Sequence, residues 1–158
     1  MTDFRPTRRD VLRATLALPA LAAAPRLFAD DATVQAVGVK FEPLTVYIEP
    51  GERVSWEGMT GHNVETLNAM IPEGGVEMNT ELGVDVTQQF DVPGIYVYKC
   101  TPHWGARMGG VIVVGTPEDP RATLDEYFAA IETDRGGLLP AKGLLKKAEL
   151  DMHELGLI

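Results

Sequence analysis

The sequence predicts an all-β fold, a sandwich of seven or eight strands followed by two C-terminal α-helices. Three observations lead there: short β-rich runs between Thr33 and Val114, Pro-Gly punctuation between those runs, and a change to helical period after Gly115. The 158 residues suit one ordinary domain. With 45% hydrophobic and 23% charged residues, the composition is globular rather than disordered or membrane-spanning.

Residues 1–29 are expected to be an address rather than part of the fold. Thr7-Arg8-Arg9-Asp10-Val11-Leu12-Arg13 places paired arginines before an apolar stretch, Ala14 to Pro25, and short-side-chain runs follow. Basic, apolar, then small residues is the order of a signal peptide, here of the twin-arginine type, with cleavage after Ala29 or alternatively after Ala24. The apolar run is about a dozen residues, short of the roughly 20 that span a bilayer, and Pro19 interrupts it, so no stable membrane anchor is expected. An amphipathic first helix is the plainer alternative.

The strands are expected at Thr33–Val39, Leu44–Ile48, Arg53–Glu57, Asn63–Leu67, Val84–Phe90, Ile95–Cys100 and Gly110–Val114, paired as an antiparallel sandwich. Glu49-Pro50-Gly51-Glu52 and Val92-Pro93-Gly94 supply Pro then Gly as a tight turn prefers. Leu44, Val46 and Ile48 share one face, while Ile95, Val97 and Lys99 alternate with Tyr96, Tyr98 and Cys100; the first set is expected inside.

Beyond Gly115, Leu124, Tyr127, Phe128 and Ile131 fall at i, i+3, i+4 and i+7, a helix that Pro120 can start and Gly136-Gly137 can stop. Leu144, Leu145, Ala148, Met152 and Leu155 repeat the pattern, with Glu149 and His153 on the outer flank. Two such short helices form no core alone and are expected to pack as a hairpin on the sandwich. The expected organisation is therefore 1–29 signal, 30–115 sandwich and 116–158 helical hairpin.

Fourteen basic against twenty-three acidic residues give a formal charge of −9, which argues against a nucleic-acid binder using a basic face. Residues 1–29 hold five of the basic and two of the acidic groups, so 30–158 carry nine and twenty-one, a net −12. Such a surface favours basic or weakly charged partners, although acidity also serves solubility and salt adaptation.

The chemistry lies in Tyr98-Lys99-Cys100-Thr101-Pro102-His103-Trp104-Gly105-Ala106-Arg107-Met108, which follows a strand and contains C-x2-H-x4-M. Cys100 is the only cysteine, so no intrachain disulfide and no four-cysteine metal site exists; the histidines are His62, His103 and His153, so a metal site must mix ligand types. Thiolate and thioether favour copper(I), imidazole accepts both copper oxidation states, and two His with one Cys beneath a long axial Met is the blue-copper arrangement. The second imidazole is then His62, at the start of another strand and 38 residues before Cys100. Each residue also has a plain reading: Cys100 as a small buried hydrophobe, His62 as a turn residue, Met108 as core filling. An unpaired thiol in an exported chain nonetheless wants an explanation. His153, beside charged residues on a helix, is read as a surface group.

The chain resembles the pseudoazurins, members of the cupredoxins or small blue-copper proteins. The resemblance rests on Phe41-Glu42-Pro43, Pro50-Gly51-Glu52, Gly61-His62-Asn63-Val64-Glu65-Thr66, Met70-Ile71-Pro72-Glu73-Gly74, Pro93-Gly94-Ile95-Tyr96 and Lys99-Cys100-Thr101-Pro102-His103, and covers the chain beyond residue 29. It implies a cupredoxin-type Greek-key sandwich with two C-terminal helices, and one copper ion on His62, Cys100, His103 and Met108. It also implies that the Asn63 N–H donates to the Cys100 sulfur and that the Asn63 side chain ties to the Thr101 segment. The four-residue gap to Met108 matches pseudoazurins, whereas amicyanins use a shorter one. Two features depart from the family. Its members commonly dock through a ring of lysines, and this chain is acidic, so the resemblance does not extend to the acidic copper nitrite reductase such a ring serves. Trp104 and Arg107 also stand where smaller or different residues are usual.

The resulting expectation is a periplasmic electron shuttle without enzymatic activity, a monomer meeting redox proteins such as a cytochrome or reductase. His103 is expected to reach the surface amid Pro102, Trp104 and Met59. The main alternative is a copper carrier or storage protein, since Met59, Met70, Met78 and Met108 are soft ligands too. Three histidines are too few for the two centres of a copper nitrite reductase. A cysteine hydrolase would need an oxyanion hole that nothing in the sequence marks, and a structural zinc site is disfavoured by a Met ligand.

Overall fold

The valine-rich run Gly109-Gly110-Val111-Ile112-Val113-Val114 shows what the architecture must satisfy, because every one of its residues is buried. A strand apolar at every position must be covered on both faces. The structure, a computed structural model describing residues 29–158, supplies both covers. Seven strands build the sheet: β1 Ala29–Val37, β2 Lys40–Glu42, β3 Thr45–Glu57, β4 Glu65–Thr66, β5 Val86–Gln89, β6 Gly94–Lys99 and β7 Gly109–Val114. Their order is β2-β1-β3-β7-β6-β4, with β5 added on β3. Helices α1 Pro120–Thr133 and α2 Ala141–Glu154 follow.

The sheet curls around a first core. Val34, Phe41, Val46, Ile48, Val54, Trp56, Phe90, Tyr96, Tyr98, Ile112 and Val114 meet there, together with Cys100 and Met108. Tyr98 anchors its aromatic part, with ring centroids 5.3 Å from both Phe41 and Trp56. On the opposite face of β6 and β7, Ile95, Val97, Val111 and Val113 form a second core with Leu124, Tyr127 and Ile131 of α1 and Leu144, Leu145, Ala148 and Met152 of α2. The Tyr127 hydroxyl donates to the Ile95 carbonyl at 2.8 Å, pinning α1 to the sheet. Both helical faces therefore lie as their period predicts. Pro120 sits in the first turn behind Asp119, whose side chain accepts from the Ala122 N–H at 2.9 Å. Leu155, expected on the apolar face of α2, is 37% exposed past the helix end.

Several strand expectations are corrected. Glu49-Pro50-Gly51-Glu52 is not a reversal: β3 runs through it as one strand, and β1 pairs with Ile48 and then with Arg53, so these four residues bulge out of the ladder. Gly51 takes a positive φ of 93° there and its N–H donates to Phe90 O at 2.8 Å, binding the bulge to the end of β5. The pairing is mixed rather than antiparallel throughout, because β3 runs parallel to both β1 and β7. The predicted run Thr33–Val39 starts instead at Ala29 and ends at Val37, and Lys40–Glu42 returns beside it as a hairpin strand. Asn63–Leu67 shortens to Glu65–Thr66 and Val84–Phe90 to Val86–Gln89. The signal-peptide reading of residues 1–29 lies, but for Ala29, outside the described residues.

Candidate metal centre

Two loops at one end of the sheet bring the sequence-predicted ligands together. Cys100 immediately follows β6 and is fully buried. His103 and Trp104 follow in a short 3-10 turn, Thr101–Ala106, and Met108 immediately precedes β7. The return is closed by backbone bonds: His103 N–H to Cys100 O at 3.1 Å, Arg107 N–H to Trp104 O at 2.9 Å, and Cys100 N–H to Met108 O at 2.9 Å. Arg107 makes the tight reversal possible with a left-handed φ of 65°. The second loop, after β3, carries His62. Its N–H donates to Met59 O and its carbonyl accepts from Gly83 N–H, both at 2.8 Å.

The ligand atoms of His62, Cys100 and His103 lie within 4.8 Å of one another. Cys100 Sγ is 3.6 Å from His62 Nδ1 and 3.5 Å from His103 Nδ1. An ion about 2.0–2.1 Å from an imidazole nitrogen and about 2.3 Å from a thiolate needs N and S roughly 3.6–3.8 Å apart for angles between tetrahedral and trigonal. Both sulfur–nitrogen spacings therefore suit one shared ion, and thiolate with two imidazoles is a donor set suited to copper. Met108 is fully buried in the same core as Cys100, adding the soft thioether. Burial, and then the nearby charge of His103, lowers the His62 pKa and favours the neutral imidazole that metal binding requires.

Asn63 joins the two loops. Its Oδ1 accepts from Thr101 N–H at 2.8 Å and its Nδ2 donates to Thr101 Oγ1 at 3.2 Å, so of the two contacts implied for this residue the side-chain one is present. Sequence reading missed the continuation: Thr101 Oγ1 donates to Glu65 Oε2 at 2.5 Å, and Glu65 Oε1 pairs with Lys99 Nζ at 3.2 Å. The side-chain bond from Thr101, helped by Lys99, holds the Glu65 carboxyl below its ordinary range. Period-2 alternation puts Lys99 on the strand face of Ile95 and Val97 and says nothing of its pairing with Glu65 across β4 and β6. Also missed were Asp85, which accepts the Met59 N–H at 2.9 Å, and Thr80, which accepts the Val64 N–H at 2.8 Å; both sit beyond the motif.

His103 is half-buried beside exposed Pro102 and half-buried Trp104, as expected. Met59 is not at this surface: it is fully buried in the first core, because an apolar side chain under the His62 turn has the sheet interior to fill. Met70 and Met78 are buried as well, Met70 in the second core away from Cys100. His153 is exposed on α2, as its helical position predicts.

The profile of the copper-binding plastocyanin/azurin family matches residues 29–115. The pseudoazurin of Methylorubrum extorquens is 33% identical over 116 residues, covering 69% of this chain and 78% of that one. Among solved structures, a Sinorhizobium pseudoazurin superposes with a TM-score of 0.61 at 26% identity, over 77% of this chain and 98% of that one. The pseudoazurin of Hyphomicrobium denitrificans gives 0.57 at 26% identity, over 74% and 97%. With the cupredoxin architecture and the thiolate-imidazole cluster already in place, these matches make the chain a member of the copper-binding plastocyanin/azurin family and, within it, of the pseudoazurins, blue-copper electron-transfer proteins.

Proposed function

We propose that His62, Cys100, His103 and Met108 hold the copper ion and that the chain shuttles single electrons between redox proteins in the periplasm, as a monomer that catalyses no reaction of its own. The observation that carries this reading is the convergence of one thiol and two imidazole nitrogens from loops 38 residues apart in sequence. When bound, copper supplies a one-electron couple between its +1 and +2 states. The protein's part is to keep the same donors in place in both states. Cys100 is held from both sides by backbone bonds to Met108 and His103, and Asn63 ties the His62 loop to Thr101. Met59, Val64 and Met78 keep the cluster dry.

His103 turns Nδ1 toward Cys100, so Nε2, across the ring, offers the route toward solvent. Leu82 and Val84, 61% and 49% exposed, flank Gly83, which is bonded to the His62 carbonyl. They offer an apolar rim for the small, brief contact that redox pairs make. The twin-arginine reading of residues 1–29 supports export. Among the described residues no helix is long and apolar enough to cross a membrane. The chain then divides into 1–29 signal, 30–115 copper-binding domain and 116–158 hairpin. Burial of Met59, Met70 and Met78 speaks against the carrier alternative, which requires accessible, exchangeable thioethers.

The test is spectroscopic. Copper-loaded protein is expected to be intensely blue from Cys100-to-copper charge transfer, and Cys100→Ser to lose that band entirely. A colourless copper-loaded wild type, or a Cys100→Ser variant with the band intact, overturns the ligand assignment.

A further inference from the structure

Trp104 sits directly after His103, yet its indole faces away from the donor cluster and into the helical hairpin. Its Nε1–H donates to the Gly137 carbonyl at 2.7 Å, and the ring packs against the second core. Gly137 belongs to the α1–α2 connection, which Asp134 braces: its Oδ2 accepts from Gly136 N–H at 2.9 Å and from Leu138 N–H at 2.7 Å. The acceptor that Trp104 reaches is therefore itself held. At the other end, Trp104 covers the residue after Met108. A Cβ added to Gly109 would lie 2.5 Å from the Tyr98 carbonyl, 2.7 Å from Leu144 Cδ1 and 3.1 Å from Trp104 Cζ3, so indole, α2 and β6 close over that glycine. The Trp104 carbonyl also accepts the Arg107 N–H that forms the left-handed reversal before Met108.

One side chain thus ties two points of the ligand loop, the residue after His103 and Gly109, to helices that carry no ligand, while its own backbone carbonyl closes the turn at Arg107. We infer that Trp104 is the positioning residue of the metal centre: anchored on the Gly137 carbonyl and packed against the second core, it sets where His103 and Met108 stand relative to Cys100, which makes the hairpin a working part of the copper site. The inference rests on the ligand assignment proposed above. It differs from a packing role in its consequence. A residue that only packs changes stability, whereas one that positions donors changes how the donors grip the ion. Partners that orient metal ligands are commonly worth 10–100-fold in metal affinity.

The experiment compares wild type, Trp104→Ala, Trp104→Phe and Leu145→Ala, the last a fully buried α2 residue that serves as control for stability loss. Each is titrated with copper(I) against a competing chelator, and its absorption and electron paramagnetic resonance spectra are recorded with copper(II). Trp104→Ala is expected to lose about tenfold or more in copper(I) affinity and to change the relative strengths of the charge-transfer bands. Trp104→Phe, which keeps a ring over Gly109 but loses the N–H, is expected between wild type and Trp104→Ala. Leu145→Ala is expected to bind and absorb as wild type does. If the protein is blue and Trp104→Ala matches it in affinity and spectrum, or if Leu145→Ala shifts both as far as Trp104→Ala, the positioning role is overturned while the ligand assignment stands. A wild type without the blue band overturns the assignment and this inference with it.

Discussion

At Glu65 the loop-bridging network meets solvent, and its charge state becomes measurable. The carboxylate accepts from Thr101 Oγ1 and pairs with Lys99, which together hold its pKa below the ordinary 4.5. A folded-state pKa lowered in this way contributes stability that is fully present above the ordinary value and is lost as pH falls through the depressed one. Glu65→Gln keeps the shape and removes the titration. We therefore expect Glu65→Gln to be less stable than wild type at neutral pH, by about 1 kcal/mol or less after solvent screening. That gap should close as pH falls below 4.5. Urea midpoints of both proteins at neutral and acid pH check it, and a gap independent of pH would show that Glu65 acts by shape alone. The same network marks how far residue-scale reading goes. The meeting of His62, Cys100 and His103, with Met108 in the same core as Cys100, was legible because the spacing and residue types carry metal chemistry in the sequence itself. The Thr101-Glu65-Lys99 chain was not, since its members are ordinary polar residues whose meeting depends on the β4–β6 register.

Single elements follow period, and period is informative about one face at a time. The helical repeats marked Leu124, Tyr127, Ile131, Leu144, Leu145, Ala148 and Met152 correctly because each helix has one buried stripe. The alternation of Ile95 and Val97 against Tyr96 and Tyr98 posed a choice of buried set, and the structure buries both, one in each core. A strand's own residues do not say whether a later helix will cover the second face. Pro50-Gly51 misled for a related reason: the pair suits a reversal and a bulge equally, and only pairing with β1 and the bond to Phe90 select the bulge. The two-core arrangement makes a prediction of its own. Leu145 is fully buried between α2 and the sheet, so Leu145→Ala leaves a cavity and should cost about 2–5 kcal/mol. A lowered denaturant midpoint for the whole chain, read on sheet and helix signals together, is the expected result. If the helices melt first while the sheet signal keeps its midpoint, the hairpin is an appendage and the second core is not cooperative with the first.

For the molecule as a whole, the decisive quantity is the imbalance of nine basic against twenty-one acidic groups in residues 30–158. Arg53, Lys99, Arg121 and Lys142 are each paired with a carboxylate, which cancels charge of both signs equally and leaves the net imbalance unchanged. The field a partner meets at long range is accordingly negative, and such a field raises association rates with oppositely charged proteins by about 10–10³-fold when salt is low. Screening shortens its reach to about 10 Å at 0.1 M salt. Electron transfer to a redox protein with a basic docking face should therefore be fast at low ionic strength and slow steadily as salt is added, since electrostatics acts mainly on encounter. With an acidic partner the order reverses: transfer should be slow in dilute buffer and gain from added salt. Stopped-flow bleaching of the blue band against one basic and one acidic cytochrome, each over a range of sodium chloride, separates the cases. A faster reaction with the acidic cytochrome at low salt would mean that docking is governed by a local patch around His103 and not by the charge of the chain.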